Sequence, residues 1–225
     1  MNGVKKFAQF AALSSGAGLG AFLFLTRKNT FVPLDPTSHP LFQIPHLKTY
    51  NPERNPTFYD DCIRTIPLQD IKPGLLEDGE LVKAFCGGVW GGGGYGIQRA
   101  IMRKYYHNSE TSGQLWTPEE CKASSYAMGT QVTDHFEVVE RSPTSIVMRC
   151  GGSARIRDVR PEEGVFEIAV DVKKEEGVVD FHLRSIFWQG VGKTEVQPMG
   201  EWYVDWLHKQ YSKVLMESAV KNVTK

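Results

Sequence analysis

The sequence has no excess of charge of either sign. Lys+Arg and Asp+Glu both number 26 among its 225 residues. Proteins that bind nucleic acid usually carry a surplus or a cluster of basic side chains. Here basic and acidic residues alternate instead, as in the segments RIRDVRPEE and VKKEEG. This pattern is typical of a solvated surface, and it predicts no nucleic-acid partner.

The sequence also lacks the common metal-binding and catalytic signatures. Its four cysteines, Cys62, Cys86, Cys121 and Cys150, form no CxxC or CxxH pair, which argues against a zinc site. We expect them to be mostly buried thiols, with disulfides as the alternative. No Gly-Lys-Ser/Thr, HExxH or nucleophile-elbow motif is present. The sequence therefore predicts no cofactor and no metal, and it leaves open whether the protein is an enzyme.

The N-terminal segment is apolar and long enough to span a membrane as a helix. Residues 7–25, FAQFAALSSGAGLGAFLFL, contain no charged side chain, and basic residues flank them on both sides. As a helix this segment would span about 28 Å, close to the thickness of a bilayer core. We therefore predict a single-pass N-terminal membrane anchor or targeting segment over 1–28, in the endoplasmic reticulum or a mitochondrion. A cleaved secretory signal and a mitochondrial presequence are the alternatives.

A proline-rich segment follows the apolar one. Residues 29–57 contain six prolines, which remove backbone donors and hold the preceding residues out of helical geometry. Apolar side chains lie between the prolines, so we expect an extended linker or strap that packs on the domain. The domain itself is predicted to cover 58–225.

Alternating apolar and polar residues predict a series of β-strands. The candidate segments are 60–68, 132–140, 145–150, 165–173 and 178–188. In the last of these, Asp180, His182 and Arg184 are assigned to a solvent-facing side. Because short turns join successive strands, we predict an antiparallel meander with one covered face.

The last segment, from Gly200 to Val223, has helical periodicity. Its predicted apolar stripe consists of Tyr203, Trp206, Leu207, Tyr211, Val214 and Leu215. Such a helix needs an apolar partner, which the meander supplies. The predicted fold class is thus α+β, with a curved antiparallel sheet gripping a long C-terminal helix.

This order of elements, together with the segment GEWYVDWLHKQYSKVL, resembles the START-like helix-grip superfamily. That superfamily includes lipid-transfer domains and polyketide cyclases. The resemblance implies a cavity between sheet and C-terminal helix that holds an apolar small molecule or lipid. Through DPTSHPLFQIP and EWYVDWLHKQYSKVLMESA, the whole chain also resembles small uncharacterised proteins of filamentous fungi, some of which accompany secondary-metabolite pathways.

A glycine-rich run over 87–96 is the sharpest local feature. It contains a G-x-G-x-x-G pattern, but no series of βαβ units follows, which argues against a dinucleotide site. A mobile flap or a close approach of two backbones explains such a run better. The aromatic residues in the run could then close over an apolar ligand. The predicted ligand-binding residues are Trp90, Gly93, Tyr95, Arg149, Trp206 and Tyr211.

The candidate catalytic residues are His135, Asp134 and Tyr95, which could act as acid or base. In a strand, Asp134 and His135 would point to opposite faces and would not pair directly. The remaining candidates, His182 and His208, are interpreted as surface residues.

Two functions follow from these features. The first is a membrane-associated binding protein, or a cyclase- or isomerase-like accessory enzyme, for an apolar small molecule in fungal secondary-metabolite biosynthesis. The alternative is a non-enzymatic membrane scaffold or assembly factor with unidentified protein partners.

Overall fold

The structure is a computed structural model, and it describes residue 20 and residues 22–225. The anchor predicted over 7–25 lies almost entirely outside the described residues. Among those that are described, no helix is both long and apolar enough to cross a membrane. Phe22 to Thr26 are helical, and Leu23, Phe24 and Leu25 are exposed.

Seven strands form one antiparallel sheet that is not closed into a barrel. They are β1 (Thr30–Val32), β2 (Phe58–Pro67), β3 (Gln131–Val132), β4 (Phe136–Arg141), β5 (Ser145–Gly151), β6 (Glu162–Lys173) and β7 (Val178–Gln189). Their order across the sheet is β1-β2-β7-β6-β5-β4-β3. The run from β3 to β7 is the predicted meander, and β2 extends it by pairing with β7 along ten residues.

Besides the helical residues Phe22 to Thr26, five α-helices accompany the sheet in the described residues. They are α1 (Pro45–Tyr50), α2 (Glu80–Gly91), α3 (Gly96–Tyr106), α4 (Pro118–Ala123) and α5 (Trp202–Val223). The long C-terminal helix and the α+β class are confirmed. Helices α2 and α5 pack against each other and against one face of the sheet.

The main core lies between this helical layer and the inward-facing side chains of the strands. Ile146, Met148, Ile168, Phe181 and Leu183 are among its fully buried members. Burying each such side chain stabilises the fold by about 1.5–3 kcal/mol relative to leaving it exposed. Of this set, the predicted alternation placed Ile168, Phe181 and Leu183 correctly.

Part of the glycine-rich run makes a close approach to α5. A Cβ added at Gly88 would lie 2.7 Å from Cβ of Asn222 and 2.8 Å from Cα of Ala219. A Cβ at Gly94 would lie 2.7 Å from the carbonyl oxygen of Val214. Only glycine lets the two backbones approach this closely. Of the two predicted explanations, close approach therefore describes these positions.

The opposite face of the sheet is covered in part by the proline-rich strap, so the prediction of one covered face was wrong. Leu34, Leu41, Phe42 and Ile44 of the strap are buried against apolar side chains of β4 to β7. The Nε1–H of Trp188 donates a hydrogen bond to the carbonyl oxygen of a strap residue at 2.7 Å. As the interleaved apolar residues indicated, this segment packs on the domain, and it also contributes β1.

Polar residues on the strap-facing side are also less exposed than predicted. His182 is only 8% exposed, and its Nδ1 lies 2.9 Å from Oδ2 of Asp61. The Nε–H of Arg184 donates to the same carboxylate at 3.0 Å. The period of two placed these side chains on the correct face, but it could not show that the face is shielded.

The segment predicted as a single strand over 132–140 is a hairpin instead. Val132 ends β3 and pairs with Phe136, the first residue of β4. Thr133 and Asp134 make the reversal, with φ angles of 47° and 65°. Asp tolerates this left-handed conformation because its short side chain can hydrogen-bond locally. The apparent alternation hid a three-residue turn.

Candidate functional site

A cavity of about 210 Å³ lies between the sheet and the first half of α5. Its lining comes from α2, α3, α5 and four neighbouring strands. The lining residues are Trp90, Tyr95, Gln98, Phe136, Cys150, Gly151, Phe166, Ser185, Phe187, His208, Tyr211, Ser212 and Leu215. Most of this surface is apolar, and the cavity occupies the position that a helix-grip arrangement implies.

An aromatic cluster forms one wall of the cavity. The ring of Trp90 lies 4.3 Å from that of Phe136 and 5.8 Å from that of Phe166, measured between centroids. Tyr95 meets Trp90 edge to face at 5.0 Å. Trp90 and Tyr95 are fully buried, so they are fixed parts of the wall instead of a flap that closes over it. Such contacts make the wall rigid.

The hydroxyl of Tyr95 already has a hydrogen-bond partner. It forms a buried hydrogen bond with the hydroxyl of Thr133. Burial raises the pKa of Tyr95 well above its ordinary value. The buried thiol of Cys150 is likewise raised, to a pKa of about 12. The Tyr95 hydroxyl and the Cys150 thiol therefore keep their protons near neutral pH.

A carboxylate–imidazole pair lies at the other side of the cavity. Nε2 of His208, on α5, hydrogen-bonds to Oδ1 of Asp60, on β2, at 3.3 Å and lies 3.0 Å from Oδ2. The imidazole meets the rings of Phe58 and Phe187 edge to face, at centroid distances of 5.4 and 5.6 Å. The side chain of His208 is 13% exposed and that of Asp60 is 8% exposed. The pair is thus mostly buried, and its imidazole lies against two aromatic rings.

One hydroxyl in the cavity wall has no partner in the described part of the chain. Ser185 is 1% exposed, and its Oγ makes no hydrogen bond. Ser185 lies directly opposite Asp60 in the β2–β7 pairing. A buried hydroxyl without a partner costs about 1–3 kcal/mol. This atom is therefore available to a bound molecule.

Partly exposed side chains form the rim of the cavity. The hydroxyl of Tyr211 donates to Oε1 of Gln98 at 2.6 Å, which links α5 to α3. Burial raises the pKa of Tyr211 above its ordinary value. Phe187 and His208 are also partly exposed at this rim. These residues form the part of the cavity lining that is nearest to solvent.

The predicted catalytic pair Asp134 and His135 does not line this cavity. Both lie in the β3–β4 turn, where Nδ1 of His135 is 3.8 Å from Oδ2 of Asp134. They are therefore neighbours on one side of the turn, contrary to the strand-based expectation. Arg155 donates from Nε to the Asp134 carboxylate at 3.1 Å, and His135 packs against Tyr106. Burial lowers the pKa of His135.

Three of the six predicted ligand-binding residues line the cavity: Trp90, Tyr95 and Tyr211. Arg149 lies on the strap side of the sheet, where its Nε–H donates to Glu163 at 3.0 Å. The aromatic stripe of α5 was misjudged at its start, because Trp206 is 51% exposed. Gly93 is also exposed and has no atom within 4 Å of the place its Cβ would take.

Asp60 and Ser185 are not among the site residues predicted from the sequence, and the prediction of His208 as a surface residue was wrong. A signal for the first two was present: each interrupts the apolar residues on the inward face of its strand. No comparable signal marks His208, because its burial depends on where α5 crosses β2.

The described residues contain no cluster of His, Cys, Asp or Glu that could hold a metal ion. The cavity lining itself supplies apolar side chains and a few polar groups. In comparisons with protein-family models, curated proteins and solved structures, nothing matched this chain.

Proposed function

We propose that this protein binds a mostly apolar small molecule in the cavity beneath α5, in the manner of helix-grip proteins. The observation that carries the proposal is the cavity itself, with its wall of Trp90, Phe136 and Phe166 and its few polar groups. Small-molecule sites are typically concave and apolar, with a small number of placed polar groups.

The volume of the cavity limits the ligand. A cavity of about 150 Å³ lined by apolar side chains can hold a benzene molecule. The cavity here, about 210 Å³, is therefore suited to a compact molecule of one or two rings, or to one part of a larger lipid. Partly exposed rim residues would let such a molecule enter without unfolding the domain.

Mass spectrometry can test this function directly. The full-length chain would be purified in lipid nanodiscs, and an organic extract of the protein would be compared with that of a Ser212→Leu variant. Ser212 lines the cavity and is 4% exposed, so a leucine there would occupy the space. We expect a compound enriched with the native protein and depleted in the folded variant. Identical extracts from the two proteins would contradict the proposal.

Catalysis of a cyclisation or isomerisation is a narrower form of the same hypothesis. An acid or base must reach the reacting atom within hydrogen-bond distance, directly or through one water. His208 borders the cavity and meets this condition better than His135, which lies in the β3–β4 turn. Binding is the function that the described geometry supports best.

Membrane association through residues 7–25 stays part of the proposal. An anchor there would keep the cavity close to a source of apolar ligands, including those of a secondary-metabolite pathway. Alkaline carbonate extraction of membranes tests it: the full-length chain should stay in the pellet, and a variant lacking 1–28 should not. Release of the full-length chain would remove this part of the proposal.

One observation favours the alternative of a membrane scaffold or assembly factor. Trp202, Tyr203, Trp206 and Leu207 at the start of α5 are each at least half exposed. Exposed clusters of large apolar side chains often mark interaction surfaces. Replacing Trp202 and Trp206 by serine should abolish a stable protein complex if scaffolding is the function, and should leave ligand retention intact if it is not.

A further inference from the structure

The cavity wall contains a polar group that the aromatic cluster does not explain. Ser185 on β7 lies opposite Asp60 on β2, and on its other side it lies opposite Phe166 on β6. Directly opposed residues in antiparallel strands have Cβ atoms about 4.5–5.5 Å apart. Since His208 is bonded to Asp60, the side chains of Ser185 and His208 belong to the same part of the wall.

The hydrogen bond between His208 and Asp60 determines which hydrogen-bonding role remains for the other ring nitrogen of His208. An ionised carboxylate only accepts hydrogen bonds, so Nε2 of His208 must carry the hydrogen in that contact. In the neutral imidazole, Nδ1 is then an acceptor with a free lone pair. No hydrogen bond to Nδ1 occurs within residues 22–225. Ser185 adds a hydroxyl that can donate or accept.

A second side-chain pair between α5 and β2 shows that such a contact alone does not make a ligand site. Nε of Arg64 on β2 lies 3.4 Å from Oε1 of Glu217, nine residues after His208 along α5. That pair also joins α5 to β2, but neither residue lines the cavity. Its role is to hold the helix on the sheet. The Asp60–His208 pair does the same and, in addition, borders a cavity beside an unpartnered hydroxyl.

We propose that Ser185 and His208 form an anchor for one hydroxyl group on the bound molecule. The ligand hydroxyl would donate to Nδ1 of His208 and accept from Oγ of Ser185, and Asp60 acts as a positioning residue that fixes the tautomer. The ligand class is therefore a phenol or alcohol on a compact hydrocarbon ring system. This inference rests on the proposed function, because it specifies what the same cavity binds.

Two probes of nearly equal shape separate the anchor from the apolar cavity. Dissociation constants of naphthol and methylnaphthalene would be measured on the full-length chain in lipid nanodiscs, with empty nanodiscs correcting for partition into lipid. We expect naphthol to bind about tenfold more tightly, because methylnaphthalene leaves the anchor groups unpaired. Binding of both probes with equal affinity would overturn the anchor and leave the proposed function standing. Failure of both to bind would overturn the two together.

Variants test whether these residues cause the preference. Ser185→Ala removes the hydroxyl, and His208→Phe removes Nδ1 but keeps an aromatic ring beside Phe58 and Phe187. Both should reduce the naphthol preference towards unity while methylnaphthalene affinity stays the same, which also reports that the cavity is folded. Glu217→Gln is the matched control, since it weakens the second α5–β2 pair outside the cavity. A preference that survives in both cavity variants, or is lost in the control, would overturn the anchor.

Discussion

The two halves of α5 meet the rest of the molecule in different ways. From Leu215 onward the inward residues, including Met216 and Ala219, are almost fully buried. There the helix lies so close to α2 that a Cβ at Gly88 would not fit. Before Leu215 the helix spans the cavity, and Trp206 and its neighbours are exposed. One half fixes the helix, and the other forms the roof of a cavity.

This difference indicates that the second half of α5 contributes stability and the first half contributes function. Dense packing is the usual state of a protein interior, and an unfilled volume costs free energy. The domain accepts that cost beneath the first half of α5 and compensates with close contacts along the second. Local departures from optimal packing are expected at functional sites. The comparison therefore supports a functional role for the first half of α5, which covers the cavity.

The largest expected effect is a loss of stability when one carbon atom is added at Gly88, where α2 lies close to α5. Gly88→Ala should lower the free energy of unfolding by about 2–3 kcal/mol, because the new Cβ meets backbone atoms of Ala219 that cannot move freely. The matched control is Gly93→Ala, where no atom lies within 4 Å of the added carbon. It should leave stability within about 0.5 kcal/mol. Chemical denaturation measures both, and equal losses would contradict the close-contact interpretation.

A smaller loss of stability is expected when leucine is replaced by alanine in either half of α5. Leu215 is 6% exposed and Leu207 is 57% exposed. Leu215→Ala should cost about 2 kcal/mol, at the low end for such changes because one side of Leu215 already borders the cavity. Leu207→Ala should change stability by less than about 0.5 kcal/mol. Thermal unfolding of the two variants gives the comparison, which fails if Leu207→Ala is the more damaging.

The elements could be predicted from the sequence much better than their contacts. Alternation along 165–173 and 178–188 identified both strands and their inward residues, because burial on one face imposes a period of two. The helical pattern after Gly200 identified α5. Its first two turns were assigned to the core because aromatic residues usually are. Which turns of a helix cover a sheet depends on tertiary contacts that periodicity does not record.

The candidate site was predicted only in outline. Trp90, Tyr95 and Tyr211 do line the cavity, as predicted. Asp60 and His208 come together from positions 148 apart in the chain. A contact over that separation depends on the packing of α5 against β2. Neither residue has a local pattern that reveals the other.

The smallest predicted effect tests whether the strap is independent of both halves of α5. Nδ1 of His39 accepts a hydrogen bond from the backbone N–H of Leu41 at 3.2 Å, and protonation would remove this acceptor. Burial, followed by the charge of Arg184, lowers the pKa of His39 below its ordinary value of 6.5. Burial also lowers the pKa of His46, with Arg149 as the second cause. Both histidines belong to the strap.

The sign of the pH dependence follows from these directions. A histidine whose pKa is lowered by folding binds its proton more readily when unfolded, so stability is complete above about pH 6.5 and falls as the pH drops below it. Between about pH 7.5 and 5.5, the melting temperature of the native protein should fall a few degrees further than that of a His39→Asn, His46→Gln double variant. His135 titrates in the same direction in both proteins and cancels. After correction for the intrinsic exchange rate at each pH, the amide protection factors should fall at the lower pH in the strap, at Leu41 first, while the amides of α5 keep their protection. An equal fall in the protection factors of α5 would show that the strap and the cavity roof open as one unit.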